Sequence, residues 1–398
     1  MIEVSEARGI IASHVRDFGT EKVALGAALG RVLREDLVAD RDFPPFDRVT
    51  MDGIAIKFDN YLRGLRTFQV AGIAPAGAPQ QQAVSGEVCL EVMTGAILPV
   101  GLDTVIPYEK IAIADGKATL DTDEVVAGMN IHRQGSDRQK QTTIVGAGRI
   151  ISPAEIGVAS TVGNAQLAVS CLPKTLIISS GDELVEVEET PAAHQIRQSN
   201  VYQIKSVLST FGIKADRAHL TDDYDLIVKK LEGFVNDYDL IALSGGVSKG
   251  KFDWIPKALD AVGVTKHFHK IKQRPGKPFW FGSVADDTTI FAFPGNPVSS
   301  FMCLQQYLLP WLRSCLQLPG EPSKWATLGE DIDFKPDLTY FLQVSIGYSP
   351  QEGLVAMPIN TNGSGDLASL VDADAFVELP RGKDTFKKGE TYPIKFYR

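Results

Sequence analysis

A chain of 398 residues is longer than one ordinary hydrophobic core requires and points to about two to four domains. With 44% apolar and 22% charged residues it has the balance of a folded globular protein, which excludes a disordered or fibrous chain. A formal charge of -9 with scattered Lys and Arg excludes nucleic acid and acidic membranes as partners, and a small anionic substrate would need a local positive pocket.

In chain order, Ser5 is placed to cap a first helix with Ala7, Ile10, Ile11 and Val15 on one face, and a second short helix fits Ala27 to Asp36. From Phe43 the texture changes to short Val/Ile-rich runs broken by Gly, Pro and Asp-Gly, the pattern of strands and turns. Loops return after residue 132, with a helix at Pro153 to Thr161.

Between Pro173 and Leu318, strand and helix signals alternate as in a doubly wound parallel α/β sheet. Strands are expected at 175–180, 215–220, 239–244, 267–271, 279–284 and 289–293. Helices are expected from about residue 201, at 224–234 and 254–261, and in one long run from Val298 to Cys315. Beyond Pro319 the helical signals stop and strands with turn clusters run to the end. The expected domains are therefore 1–42 with 133–172 (helical/linker), 43–132 (β-rich insertion), 173–319 (α/β) and 320–398 (C-terminal β).

The four cysteines, Cys89, Cys171, Cys303 and Cys315, have no metal-ligand or disulfide spacing and read as small buried hydrophobes. No apolar run reaches the roughly 18 residues of a membrane span, and the N-terminus carries no signal-peptide pattern, so a cytoplasmic protein is expected.

Ligands of an open parallel sheet bind outside the carboxyl ends of its strands. Gly181, Asp182 and Glu183 follow the first strand, Thr221 and Asp222 the second, Ser244 to Ser248 the third, and Pro294 to Pro297 the last, so four loops are expected to converge on one rim. Gly245 and Gly246 fit a phosphate cradle, and equally a tight strand-to-helix turn. The segment KIKQRPGKP places Lys270, Lys272, Arg274 and Lys277 in an otherwise acidic chain. It reads either as a solvated face or as an anion site, with Pro275 and Gly276 turning Arg274 and Lys277 toward the rim.

Glu183, Asp222 and Asp253 are rim acids, with Asp52 and Asp137 arriving from elsewhere. Carboxylates that close repel by about 4 kcal/mol per pair, so a cluster implies cations, and magnesium with phosphate oxygens is the economical answer. Taken singly, each acid is also a normal cap or turn residue. His267 and His269 share a strand face and read as an exposed polar face rather than metal ligands. No nucleophile elbow occurs.

The ordered motifs PPFDRVTMDGIAI (44–56), VMTGAILPVGLDTVIPYE (92–109), NIHRQGSD (130–137), SSGDELVE (179–186), SGGVSKGKFD (244–253), KQRPGKP (272–278) and FPGNPVSS (293–300) resemble the molybdopterin molybdenumtransferases, a family that includes the E domain of gephyrin. The resemblance covers nearly the whole chain. It implies an elongated four-domain subunit, a homodimer, and an α/β domain that binds adenylylated molybdopterin. It also implies use of molybdate and magnesium, with release of AMP as the molybdenum cofactor forms. A pterin adenylyltransferase is the candidate supplier of the pterin.

Carried over by motif, the catalytic set is Asp52, Thr94, Asp137, Glu183, Asp222 and Asp253, of which Glu183, Asp222 and Asp253 are the magnesium ligands. The substrate-binding set is Gly246, Ser248, Lys270, Arg274, Lys277, Pro294, Pro297 and Ser364. Asp52 and Thr94, on the β insertion, are expected to serve the partner subunit's crevice. The chain departs from the family pattern with His132 in place of Arg, Ser136 in place of Glu, Arg274 in place of Lys, and a strand LTYFLQVSI (338–346) that lacks an expected arginine. Two other readings stand beside it: a pterin adenylyltransferase-like enzyme, and a non-catalytic pterin-binding scaffold.

Overall fold

The computed structural model describes residues 1–84, 87–247, 254–285 and 287–398. The chain forms two compact units.

One unit comprises Glu35–Ala147 and Pro153–Gln166. Its six-stranded sheet is built from β1 (Gly53–Ile56), β2 (Thr67–Ala74), β3 (Val88–Val92), β4 (Thr104–Pro107), β5 (Ile111–Ala114) and β6 (Lys117–Leu120), in the order β4-β1-β3-β2-β6-β5. Side chains alternate across a strand, so Ile54 and Ile56 enter one apolar cluster with Phe68 and Ile106, while Ala55 enters another with Leu90 and Val105. All four residues of β1 are buried, which is why GIAI reads as a continuous apolar run. The expected helix forms at Pro153–Thr161.

The other unit contains Met1–Arg34, Gly148–Ser152 and Leu167–Arg398. Helix α1 (Val4–Ala12) buries Val4, Ala7 and Ile11. Ser5 lies inside it and is not its cap, because the helix starts one residue earlier, after Glu3. The helix expected at Ala27 to Asp36 is absent: a 3-10 turn at Leu25–Ala27 is followed by Gly30 at φ +78, and Val32 and Leu33 then bridge to Ile150 and Val169. The left-handed glycine ends the turn, and β-type pairing takes the apolar residues that had suggested a helix.

The central sheet has the order β8-β7-β9-β13-β12-β10, with β7 (Thr175–Ser180), β8 (Asp216–Leu220), β9 (Leu240–Ser244), β10 (Thr265–His269), β12 (Trp280–Val284) and β13 (Thr288–Phe293). Strands β8, β7, β9 and β13 are parallel neighbours, and β12 runs against β13 and β10. No helix separates β10, β12 and β13: β12 turns back to β13 over three residues, and residues 270–279, which include the short strand at Gln273–Arg274, return β10 to β12, so the pairings are antiparallel.

Helices α2 (Asn200–Ser209) and α5 (Pro297–Cys303) pack on the face lined by Ile177, Ala242 and Phe291, and α3 (Tyr224–Asp237) and α4 (Ile255–Ala261) on the face lined by Ile178, Leu243 and Ile290. The long expected helix is interrupted: α5 runs into a π-helical segment at Leu304–Leu308, then into α-helix at Leu309–Cys315. The interruption precedes Pro310, which has no N–H to donate.

Strands β14 (Lys324–Leu328), β15 (Thr339–Ser349), β16 (Gly353–Pro358), β17 (Ala375–Leu379) and β18 (Thr391–Phe396) close on themselves, because β15 pairs with both β16 and β17. A short helix at Ser369–Asp372 interrupts the expected all-strand run. The two-residue strand β11 (Gln273–Arg274) joins this barrel sheet, parallel to β15, with Arg274 opposite Tyr340.

Cys89, Cys303 and Cys315 are buried as expected, whereas Cys171 is half-buried. Among the described residues no helix is long and apolar enough to cross a membrane.

His267 and His269 are half-buried and hydrogen-bonded, which corrects the expectation of an exposed polar face. His267 Nε2 lies 2.8 Å from Ser283 Oγ, and His269 Nε2 lies 3.0 Å from Val247 O. The His267 ring also sits 3.9 Å from that of His14. Burial, and then the facing His14, hold the His267 imidazole below its ordinary value. The unfolded chain therefore takes up a proton that the folded one resists. Stability is fully present above about pH 6.5 and is lost as pH falls toward the lowered folded value. The melting temperature should drop between pH 7.5 and 5.5, and less so in His267→Gln; equal slopes for the two proteins would count against this origin.

Candidate functional site

A cavity of about 700 Å³ opens beyond the carboxyl ends of the parallel strands. Its walls come from the β7 end (Ser180, Glu183), the β9 loop (Gly245 to Val247), the β13 loop (Pro294 to Asn296), the Arg274 to Pro278 turn, and barrel residues including Tyr340, Gln343 and Ser364. Of the site residues expected from sequence, Glu183, Gly246, Arg274, Lys277, Pro294 and Ser364 line it.

The lining does not include Asp222, Lys270 or Pro297. Asp222 follows β8, the edge strand of the sheet, so three loops rather than four converge on the cavity. Its backbone N–H donates to Asp182 Oδ1 at 3.1 Å, which ties the two outer loops to each other. Lys270 sits at φ +76 in the connection between β10 and β11, and Pro297 is the first residue of α5. Ser248 and Asp253 lie outside the described residues.

The glycines are there for packing. A Cβ on Gly245 would lie 2.7 Å from Ser180 O, and one on Gly246 would lie 2.6 Å from Ile255 Cγ1; both residues have positive φ. The tight-turn reading of this pair therefore holds in its own right, and it also brings bare backbone to the cavity wall. Asn200, at the start of α2, joins two of the loops. Its Nδ2 donates to Ser244 Oγ at 2.8 Å and to Gly295 O at 2.7 Å. Asn296 Nδ2 donates to Ser364 Oγ at 2.8 Å, fastening the barrel loop to the β13 loop. Sequence reading missed Asn200 and Asn296, whose partners lie 44 to 95 residues away.

The electrostatics are asymmetric. Lys272 is paired with Glu3 at 2.7 Å, while Arg274 and Lys277 are exposed and have no acidic partner among the described residues. Burial raises the Tyr340 phenol, and the adjacent Arg274 charge pulls it the other way. Glu183 folds its carboxylate over Gly181, so closely that a Cβ there would meet Oε2 at 2.3 Å. Among the described residues no three acidic, His or Cys side chains form a ready metal site, and Glu183 is the only one of the three expected magnesium ligands placed on the cavity wall. A second cavity of about 850 Å³ lies against α1, with Arg8, Trp311 and Lys395 in its wall. Two of its three cations are paired, Arg8 with Glu378 and Lys395 with Glu321, and the third, Lys324, lies over the Phe396 ring.

In the unit that carries them, Asp52 and Thr94 are exposed and directly bonded. Asp52 Oδ1 accepts from Thr94 N at 2.6 Å and from Thr94 Oγ1 at 2.8 Å. These bonds, the backbone one foremost, hold the Asp52 carboxyl below its usual range and so keep it ionised. Asp137 Oδ1 lies 2.8 Å from His132 Nε2, and Arg48 lies 3.1 Å from His132 Nδ1. Arginine can only donate, so Nδ1 is the acceptor and Nε2 carries the proton given to Asp137. His132 thus supplies Asp137 with a hydrogen-bond donor where the family pattern has arginine.

Fold and site together define a multidomain protein with a crevice at the strand ends of its α/β sheet, walled in part by Arg274 and Lys277. Family models match almost end to end: "MoeA N-terminal region (domain I and II)" over residues 2–163, "Probable molybdopterin binding domain" over 176–314, and "MoeA C-terminal region (domain IV)" over 326–396. The molybdopterin molybdenumtransferase of Synechocystis sp. is 38% identical over 397 residues, 99% of each chain. That of Bacillus subtilis is 28% identical over 100% of this chain and 94% of its own. The crystal structure of the molybdopterin biosynthesis MoeA protein from Pyrococcus horikosii is similar with a TM-score of 0.84 at 26% identity, covering 100% of this chain and 99% of that one. The chain belongs to the molybdopterin molybdenumtransferase family. An adenylyltransferase-like enzyme would need only the central region, so the matches on both sides of it go against that reading.

Proposed function

We infer that this chain is an enzyme that inserts molybdenum into molybdopterin. The observation that carries the inference is the crevice in the region similar to the molybdopterin-binding domain, with Arg274 and Lys277 unpaired among the described residues at its wall. Two cations without an acidic partner among the described residues, beside bare backbone, suit a phosphorylated ligand and an oxyanion together.

The finer reading is that molybdopterin is bound as its adenylate, molybdate supplies the metal, and AMP is released. Arg274 and Lys277 neutralise charge on the phosphate and the oxyanion, which is electrostatic rather than nucleophilic catalysis. Magnesium fits Glu183, because the ion takes one or two carboxylates together with phosphate oxygens. Asp222 and Asp253 complete the proposed ligand set. The bound ion would supply further charge neutralisation. Gly246, Ser248, Lys270, Pro294, Pro297 and Ser364 are the proposed substrate contacts.

Asp52, Thr94 and Asp137 belong to the same proposal through resemblance, in a cytoplasmic homodimer with domain limits near residues 42, 132, 172 and 319. Sedimentation should give a dimer. Mixing Asp52→Ala subunits with Glu183→Ala subunits should restore part of the activity that each variant alone lacks.

The deciding assay combines the protein with adenylylated molybdopterin, magnesium and molybdate. AMP release should match cofactor formation. If neither molybdate nor tungstate elicits AMP, the chain is a pterin binder and not a transferase.

A further inference from the structure

The turn that carries Arg274 and Lys277 is secured from below by polar groups that have no access to solvent. Gln273 is completely buried. Its Nε2 donates to Gly276 O at 3.1 Å and lies 3.4 Å from Cys303 Sγ, and its Oε1 accepts from the Tyr307 hydroxyl. Tyr307 is itself 1% exposed, belongs to the π-helical segment, and stacks on Phe279 with ring centroids 4.9 Å apart. Gly276 has φ +83 and cannot carry a side chain, since a Cβ would lie 2.5 Å from Cys303 Sγ. Lys277 O accepts from Ile271 N at 3.0 Å, which closes the far end of the turn.

Burying an amide and a phenol costs desolvation, and an apolar pair of the same shape fills such a space about as stably. What the polar pair adds is a fixed place for one carbonyl, Gly276 O, in the turn between Arg274 and Lys277, neither of which has an acidic partner among the described residues. π-helical segments recur at functional sites, and here the segment delivers Tyr307 to Gln273.

We propose that Gln273 and Tyr307 are a positioning clamp that sets Arg274 and Lys277 to receive a tetrahedral oxyanion, either molybdate or the pterin phosphate. The inference rests on the function proposed above. Neither clamp residue touches the ligand; both act through the turn.

The test uses the full-length protein with Tyr307→Phe, Gln273→Leu and the double variant Gln273→Leu/Tyr307→Phe. Melting temperature is measured with KM for molybdate, KM for adenylylated molybdopterin, and kcat. Tyr307→Phe should raise one of the two KM values about tenfold with kcat changed less than about twofold, and which KM rises identifies the oxyanion. The double variant, with both partners apolar, should regain melting temperature without regaining the KM, which a merely structural role would not produce. On an Arg274→Ala background, Tyr307→Phe should add less than about a twofold effect. If Gln273→Leu does not fold, Tyr307→Phe decides alone. Unchanged values of both KM in an active protein overturn the clamp. If the wild type releases no AMP, the proposed function fails, and the clamp is then judged on calorimetric binding of molybdate and of inorganic phosphate. There Tyr307→Phe should weaken one of them about tenfold, and equal affinities would overturn it.

Discussion

Replacing Arg274 and Lys277 together by alanine is expected to lower kcat/KM for the proposed transfer by about a hundredfold, with little change in melting temperature. A hydrogen bond to a charged group is worth about 1.5 to 3 kcal/mol, and solvent at the crevice mouth places these two near the low end, for a sum near 3 kcal/mol. Stability should hold because neither side chain has an ion-pair partner to lose among the described residues. Lys272→Ala is the control. It removes one positive charge from the same motif, yet its ammonium is paired with Glu3 at 2.7 Å, a partly exposed ion pair that contributes little to stability. Steady-state kinetics with both substrates varied would decide the matter. A Lys272→Ala loss of about tenfold, the share of one charge in the double variant's hundredfold, would mean that net charge matters and placement does not.

The largest stability effect is expected from Gly53→Ala. A Cβ at that position would lie 2.0 Å from Ile106 O and 2.8 Å from Pro107 Cα, both backbone atoms of the neighbouring strand β4. No rotamer change relieves a clash with backbone, so β1 and β4 must separate, and a cost of about 3 kcal/mol or more is expected. Urea unfolding would measure it, and a loss below about 1 kcal/mol would show that the strands separate easily. Asp52→Asn, one residue earlier, should behave in the opposite way. Its amide oxygen can still accept from Thr94, so the fold should remain while any chemistry that needs the negative charge is lost.

The inner strands β7, β9 and β13 were legible because each is a buried, largely apolar run bounded by turn residues, and α2 and α3 because each buries one apolar face. Lys272 illustrates the limit of that kind of reading: nothing in KIKQRPGKP separates it from Lys277, and only Glu3, 269 residues away in sequence, does so. That Asp222 lies off the cavity wall was not legible for a topological reason, since strand order decides which loops adjoin and β8 lies at the edge. The helix expected at Ala27 to Asp36 failed because apolar spacing cannot distinguish a short helix from isolated β-bridges. Asp52 and Thr94 came from family resemblance alone; their mutual hydrogen bond spans 42 residues and leaves no local pattern. The amide of Gln273 and the hydroxyl of Tyr307 were invisible for the same reason.

The two residues of β11 give the C-terminal barrel a meaning beyond its own fold. Because Gln273 and Arg274 pair with Thr339 and Tyr340, the cationic turn is an extra strand of the barrel sheet as much as a loop of the α/β sheet. Barrel and crevice therefore cannot be exchanged as independent cassettes. A chimera carrying a relative's barrel would inherit that relative's edge beside Arg274, and a chain truncated before Lys324 would lose both that edge and the crevice wall made by Tyr340, Gln343 and Ser364.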